Sequence, residues 1–336
     1  MTRLTNCILN KDPSCVPIWF MRQAGRYLPE FREIRAQNKD FIKLCLNSDL
    51  SSIITLQPLK RFNLDAAIIF SDILMVPFAL GQEITFEKNK GPILSNFKLD
   101  VFLNNNKNNF TKKLKPVYEA IKKTKLNLNK NKSLISFIGA PWTLAIYMLG
   151  LKKNKTEIDL IKLKEKESEL IIIIDKISEY LILHLENQIN AGADIAQIFD
   201  SWGGLIPSEK LHDYCYDPNR KIVDFCKKNK IPTVCFPKGI GRNILTFAEL
   251  VRPDCLNLDY EMDPAWAKKN LRNFCLQGGM NPNILFKSEN EIFNEIDRYL
   301  TIFQDRPYIF NLGHGLLPET NPNVLGRVIE RVNNFK

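Results

Sequence analysis

Three short runs sit about twenty residues apart in the second half of the chain: Thr233-Val234-Cys235-Phe236, Cys255-Leu256-Asn257-Leu258 and Phe274-Cys275-Leu276-Gln277. Each is a mostly apolar run, too short for a buried helix and succeeded by Pro, Asp or Gly. Such runs, separated by amphipathic stretches, read as buried parallel strands joined by helices. Working outward, the pattern recurs at 18–21, 66–70, 133–138, 195–199 and 308–311, which brings the strands to eight. Helical periodicity falls between them, as at 116–124, 169–191 and 289–303, and again at 323–333 after the last. Residues 208–228 also read as helical, with Pro218 expected to break them in two. Eight strand–helix alternations fit a closed parallel barrel better than an open sheet. The expected fold is therefore α/β, a single (β/α)8 TIM barrel over residues 1–336. An insertion is expected after the second strand, where 81–86 suggests a small hairpin.

Composition sets the class. The chain has 336 residues, 45% hydrophobic and 25% charged, which excludes a disordered chain and a small disulfide scaffold. The aliphatic run at 170–174 stops at Asp175, far short of the roughly 20 apolar residues of a membrane helix. The N-terminus has no apolar core of a signal peptide, so the cytoplasm is the expected compartment. None of the eight cysteines forms a C-x-x-C pair, and they read as reduced core thiols. His212 and Cys215 make an H-x-x-C with no second pair, so no metal is expected. Lys and Arg outnumber Asp and Glu by 47 to 37, a net +10. The lysines lie in Asn/Lys-rich stretches such as 104–132 and 152–166, which read as solvated helix faces rather than a nucleic-acid surface.

In a parallel barrel the chemistry lies at the C-terminal ends of the strands. The first run leads into Arg22-Gln23-Ala24-Gly25-Arg26-Tyr27, the second into Ser71-Asp72, the third into Gly139-Ala140-Pro141-Trp142-Thr143 with Tyr147 behind. The fourth leads into Asp200-Ser201-Trp202, the fifth into Pro237-Lys238-Gly239, and the eighth into Gly313-His314-Gly315. Arg22 and Arg26, with Arg32 and Arg35 beyond, gather guanidinium groups suited to bidentate carboxylate binding. Asp72 stands between two apolar runs, where a charge is costly unless paired. Each residue admits a plainer role: Asp72 or Ser201 as a helix N-cap, Tyr147 as helix core, His314 as a turn residue. Their coincidence at one rim favours a site.

These residues also lie in recognisable blocks. The stretch Pro17-Ile18-Trp19-Phe20-Met21-Arg22-Gln23-Ala24-Gly25-Arg26-Tyr27-Leu28-Pro29-Glu30 resembles the N-terminal signature of the uroporphyrinogen decarboxylase family. Ala66-Ala67-Ile68-Ile69-Phe70-Ser71-Asp72-Ile73-Leu74 resembles its second block, and Gly139-Ala140-Pro141-Trp142-Thr143-Leu144 with Tyr147 a third. Phe199-Asp200-Ser201-Trp202 and Asn311-Leu312-Gly313-His314-Gly315 are similar to two more, in the same order along the chain. The resemblance implies a (β/α)8 barrel and the conversion of uroporphyrinogen III to coproporphyrinogen III, with four acetates losing CO2. It further implies no cofactor, no metal and a homodimer with facing clefts. By position, Asp72 matches the carboxylate that receives the pyrrole N–H groups. Arg22 and Arg26 match the arginines that hold substrate carboxylates, Arg22 being also a candidate proton donor. Arg35 matches a further basic residue, and Tyr147, Ser201 and His314 match polar groups lining the cleft. Ile68 and Phe70 match apolar positions beside the macrocycle, and Gln23 is counted with the substrate-binding set. The stretches Gln277-Gly278-Gly279-Met280-Asn281-Pro282, Leu258-Asp259-Tyr260-Glu261 and Lys88-Asn89-Lys90-Gly91-Pro92 depart from the family pattern.

That chemistry suits these side chains. Loss of CO2 from a pyrrole acetate needs an electron sink, and protonation of the ring carbon makes the pyrrole its own sink, with no added cofactor. An ionised Asp accepts hydrogen bonds only, so it can face several N–H donors and stabilise the cationic ring. A guanidinium gives up its proton only above about pH 12, so Arg22 is read first as a carboxylate holder. Two other classes remain open at this point. A zinc-dependent methyltransferase of the same superfamily would want an H-x-C, which the sequence lacks. A polyanion or RNA binder would want aromatics among its basic residues, which the lysine tracts lack.

Overall fold

The computed structural model describes residues 1–87, 91–154 and 157–335. Its strands in chain order are β1 (Ala66–Ile68), β2 (Ile84–Glu87), β3 (Gly91–Leu94), β4 (Ser133–Gly139), β5 (Ile195–Asp200), β6 (Thr233–Pro237), β7 (Cys255–Leu258), β8 (Cys275–Gly278) and β9 (Tyr308–Ile309). Among the described residues, β1 and β4 to β9 form one parallel sheet whose order runs with the chain. The strand expected at 255–258 has those bounds, and the others shift at their ends.

The expected strand at 18–21 is reduced to a bridge, in which Ile18 lies parallel to Phe310. The reason is in its hydrogen bonds. Phe310 N donates to Pro17 O (2.8 Å) on one side, and Asp65 N donates to Ile18 O (2.8 Å) on the other. Beyond that point side chains take the place of a strand partner. Phe20 N donates to Gln23 Oε1 (3.0 Å) and Met21 N to Asn311 Oδ1 (3.2 Å). The segment thus joins the β9 end of the sheet to the β1 end.

Side chains alternate across the strands. Those on the inner face, including Ile68, Ile135, Ile195, Val234 and Cys255, pack with Trp19 and with Leu4, Cys7 and Ile8 from the helix Arg3–Leu9. A larger apolar cluster fills the space between the strands and the outer helices. The inner face is not wholly apolar. Trp19 Nε1 donates to Gln277 Oε1 (2.8 Å), whose Nε2 donates to Asn257 Oδ1 (2.5 Å).

Helix bounds show where local reading was short. Residues 289–303 are helical as expected. The helix expected at 116–124 runs over Lys107–Asn127, because Asn106 caps it upstream by accepting from Asn108 N and Asn109 N. Pro218 does not break the helix as expected: a π-helical turn at His212–Tyr216 runs directly into the helix Asp217–Lys228, and Pro218 sits in that helix's first turn, where proline is tolerated. Where a hairpin was expected at 81–86, the antiparallel pair β2–β3 spans 84–94, and residues 88–90 lie outside the described residues. Among the described residues, no helix is long and apolar enough to cross a membrane.

Candidate active site

The turn after residue 21 is built around a buried amide. Gln23, fully buried, accepts from Phe20 N and donates from Nε2 to Ala66 O (2.9 Å), while Tyr27 OH donates to Gln23 O (2.8 Å). Gln23 therefore faces the fold, not solvent. Arg22 and Arg26 project from this turn into solvent. Arg22 takes φ +62°, a left-handed conformation that a bulky residue holds only under tertiary constraint. Leu316 N donates to Met21 O (2.9 Å), which draws the loop after β9 over the turn.

Asp72 lies just beyond β1. Its Oδ1 accepts from Leu74 N (2.8 Å), and the helix Met75–Ala79 begins farther on without a side-chain cap. Asp72 is thus not the N-cap of that helix. Desolvation raises its carboxyl pKa, opposed by the Leu74 N–H and the Arg22 charge. Tyr147 belongs to the helix Pro141–Met148, whose other residues are all buried; Tyr147 alone is half-buried. Burial raises its phenol, and the charges of Asp72 and Arg22 act on it in opposite directions. His314 Nδ1 accepts from Gly315 N (2.8 Å). Desolvation, then the charges of Arg22 and Lys238, push its pKa down to about 4. At neutral pH it is an uncharged imidazole, with Nδ1 as acceptor and the proton on Nε2.

Asp72, Arg22, Tyr147 and His314 therefore share one electrostatic neighbourhood. The other expected residues differ in depth. Ser201 is half-buried and caps no helix, since the turn Gly203–Leu205 has Trp202 at its N-cap. Ile68 and Phe70 are 8% exposed each, with the Phe70 ring edge-on to Phe31 (5.7 Å) and Phe41 (6.0 Å). Arg35 donates to Asn38 O and lies 5.8 Å over the Phe41 ring. The buried Cys45 thiol lies within reach of the charges of both Asp72 and Arg35.

Three further residues near the strand ends were not read as site residues from the sequence. Lys238, half-buried at the end of β6, lies near enough to His314 to lower its pKa. Phe137 and Phe199 are the half-buried inner-face positions of β4 and β5, with rings 5.7 Å apart. Their signal was alternation: each is the last aromatic inner residue before a strand end. Next to Phe199 in β5, Asp200, 1% exposed, accepts from Thr143 Oγ1 (2.7 Å), and burial pushes its pKa up to about 6. Thr143 Oγ1 in turn accepts from Trp202 N (3.2 Å), tying the Tyr147 helix to the Ser201 loop. Among the described residues, no cluster of three His, Cys, Asp or Glu side chains is arranged to hold a metal.

The family model for uroporphyrinogen decarboxylase matches residues 1–335. The chain belongs to the uroporphyrinogen decarboxylase family. Curated relatives of that name include one from Rickettsia bellii, 39% identical over 327 residues and 95% of each chain. One from Orientia tsutsugamushi is 38% identical over 339 residues, covering 100% of this chain and 99% of its own. One from Cereibacter sphaeroides is 37% identical over 323 residues and 94% of each. Uroporphyrinogen decarboxylases are carboxy-lyases of tetrapyrrole synthesis, so the family places this chain among enzymes of that class. Among solved structures, a methyltransferase from Methanosarcina mazei superposes with a TM-score of 0.75 at 17% identity, covering 99% of this chain and 98% of that one. A B12-independent methionine synthase from Shewanella sp. W3-18-1 gives 0.55 at 10% identity, over 85% and 87%. At those identities the likeness is one of fold.

Proposed function

We propose that the chain decarboxylates uroporphyrinogen III at its four acetate arms, giving coproporphyrinogen III and four CO2. The observation that carries this reading is Asp72, a half-buried carboxylate just past β1 whose pKa desolvation raises, in the field of the Arg22 guanidinium but with no ion-pair partner within 4 Å among the described residues. Such a group suits a ligand that brings its own N–H donors. The four pyrrole N–H groups of a domed macrocycle would replace the water that Asp72 loses.

Arg22 and Arg26 hold carboxylate arms, and Arg35 adds charge farther along the rim. Phe137, Phe199, Ile68 and Phe70 supply apolar surface for the ring faces. The reaction starts when the ring carbon bearing an acetate takes up a proton, leaving the pyrrole cationic. Cleavage of the bond to the carboxylate then releases CO2, and its electron pair flows into the ring. Protonation of the exposed methylene gives the methyl group, and loss of the ring proton restores the pyrrole. Asp72 stabilises the cationic stage, and neutral His314 offers its Nε2–H to a carboxylate without adding a competing positive charge. Tyr147 and Ser201 offer further hydroxyl donors. Gln23 acts through the turn it fixes.

The same reading completes the architecture. The segment at 18–21 serves as the eighth strand of a closed (β/α)8 barrel forming one catalytic domain, and β2–β3 belongs to an insertion between the second and third barrel strands. The enzyme works in the cytoplasm as a homodimer, without cofactor or metal. Two hydrogen-bonded flanks of residue 18 support the closure.

The test is the anaerobic incubation of the purified protein with uroporphyrinogen III, monitoring CO2 and the porphyrins formed. Wild-type protein should pass through hepta-, hexa- and penta-acid intermediates. Asp72→Asn, which keeps an oxygen for Leu74 N, should lose about 10²–10³-fold in kcat. Turnover of that variant near the wild-type rate would overturn the reading.

A further inference from the structure

A cavity of about 640 Å³ lies outward of Tyr147, between β3 and the chain beyond the Tyr147 helix. Ile93 and Phe97 form one wall, and Lys152, Lys153, Lys162 and Lys166 contribute to the other. Three of these lysines already have oxygen partners. Lys153 pairs with Glu157 (3.9 Å), Lys166 with Glu169 (3.3 Å), and Lys162 donates to Gly150 O (3.1 Å). Lys152 has no acidic partner among the described residues. It is half-buried, and its Nζ lies 5.4 Å from the centroid of the Trp202 ring. That ring in turn stands edge-on to Tyr147 at 6.0 Å.

These contacts form a chain from the centre outward. Tyr147 lies within the field of Asp72 and Arg22 and also lines the cavity. Trp202 holds Lys152 against it by a cation–π contact, which leaves the ammonium donors unused. Trp202 is itself fixed, since its carbonyl accepts from Trp142 Nε1 (2.9 Å) and its N–H donates to Thr143 Oγ1. An uncompensated cation, held by an aromatic platform beside an open cavity, is arranged to receive an anion.

We infer that this cavity is a side-chain subsite of the cleft, in which Lys152 binds one carboxylate arm of the substrate. The inference rests on the proposed function, which supplies a macrocycle with carboxylate arms radiating from Asp72. One arm directed past Tyr147 reaches the cavity, and Lys152 meets it there. Lys152 then selects among polycarboxylate macrocycles and takes no part in bond cleavage.

The experiment compares Lys152→Met and Lys152→Arg with the wild-type full-length protein, using uroporphyrinogen III under anaerobic conditions. Lys152→Met should raise KM roughly tenfold, the worth of one charge-assisted hydrogen bond, with kcat changed less than about threefold. Lys152→Arg should restore most of the loss, and the rise of KM with added salt should be shallower in Lys152→Met than in wild type. An unchanged KM in Lys152→Met overturns the subsite. So does a loss confined to kcat, which would show that Lys152 only positions Trp202 and Tyr147. Absence of turnover by the wild type would instead count against the proposed function, so the two failures are distinguishable.

Discussion

Gly315 leaves open the space that the Arg22 side chain fills. A Cβ built on Gly315 would stand 2.5 Å from Arg22 Cδ and 2.8 Å from Cγ. Glycine is required here by close approach and not by backbone conformation, since Gly315 has no left-handed φ. The residue next to His314 thus sets where the guanidinium of Arg22 lies.

Gly315→Ala is the direct test of that contact. The added methyl must push Arg22 aside, and Arg22 is exposed, so the displacement leaves the core intact. The variant should unfold within about 1 kcal/mol of wild type in urea. Its kcat/KM should fall on the order of 10²-fold, the cost of displacing a binding group by about 1 Å. A variant that keeps both stability and activity would show that the position of Arg22 does not matter.

Asn311 should behave as a positioning residue. Its Oδ1 accepts from Met21 N (3.2 Å) and Leu312 N (2.8 Å), which joins the turn bearing Arg22 to the loop bearing His314. Asn311→Ala leaves two buried amides without that acceptor, at a cost of about 1–3 kcal/mol each. Asn311→Asp keeps the acceptor geometry and should recover stability more than Asn311→Ala does. Denaturation curves and the KM-against-kcat split of both variants check this. Equal stability of Asn311→Ala and wild type would exclude the role.

Gln277→Leu tests the polar interior. Gln277 Oε1 is the acceptor for Trp19 Nε1, and both side chains are fully buried. Leucine leaves that indole N–H unsatisfied, so the variant should lose about 1–3 kcal/mol despite its greater hydrophobicity. A stabilised variant, read by thermal or urea unfolding, would mean the network is dispensable.

The buried histidine should leave a mark on acid stability. His184, opposite Tyr118 OH at 3.0 Å, is pushed by desolvation down to about 3. Unfolded, it titrates at about 6.5. Between those values the unfolded chain binds a proton that the folded chain does not, so this group lowers stability as pH falls below 6.5. Replacing it by Gln should flatten the acid loss by about 1.4 kcal/mol per pH unit. Asp200 works with the opposite sign, because its folded pKa is pushed up to about 6 and the folded chain holds the extra proton. Asp200→Asn should therefore steepen the acid loss below pH 6. Urea unfolding at pH 7, 6 and 5 distinguishes the two, and parallel curves for His184→Gln and wild type would refute the assignment.

The alternation of short apolar runs with helical periodicity was enough to place the parallel strands. Each run is buried on both faces, so its signal is local composition. It was equally enough to put Asp72, Tyr147 and His314 near strand ends, because in a parallel sheet whose order runs with the chain the residues just past each run gather at one edge. The order of the sequence blocks named the family. Local pattern could not show that 18–21 shrinks to a bridge at residue 18, since Gln23 and Asn311 take the amides of Phe20 and Met21 through side chains, one of them 290 residues away. Nor could it show that Gln23 faces the fold, that Lys238 stands near His314, that Phe137 meets Phe199, or that Gly315 yields its space to Arg22. Those relations are contacts between segments far apart in the chain. Packing decides them, because a side chain's direction, desolvation and charge neighbours exist only once the strands lie side by side.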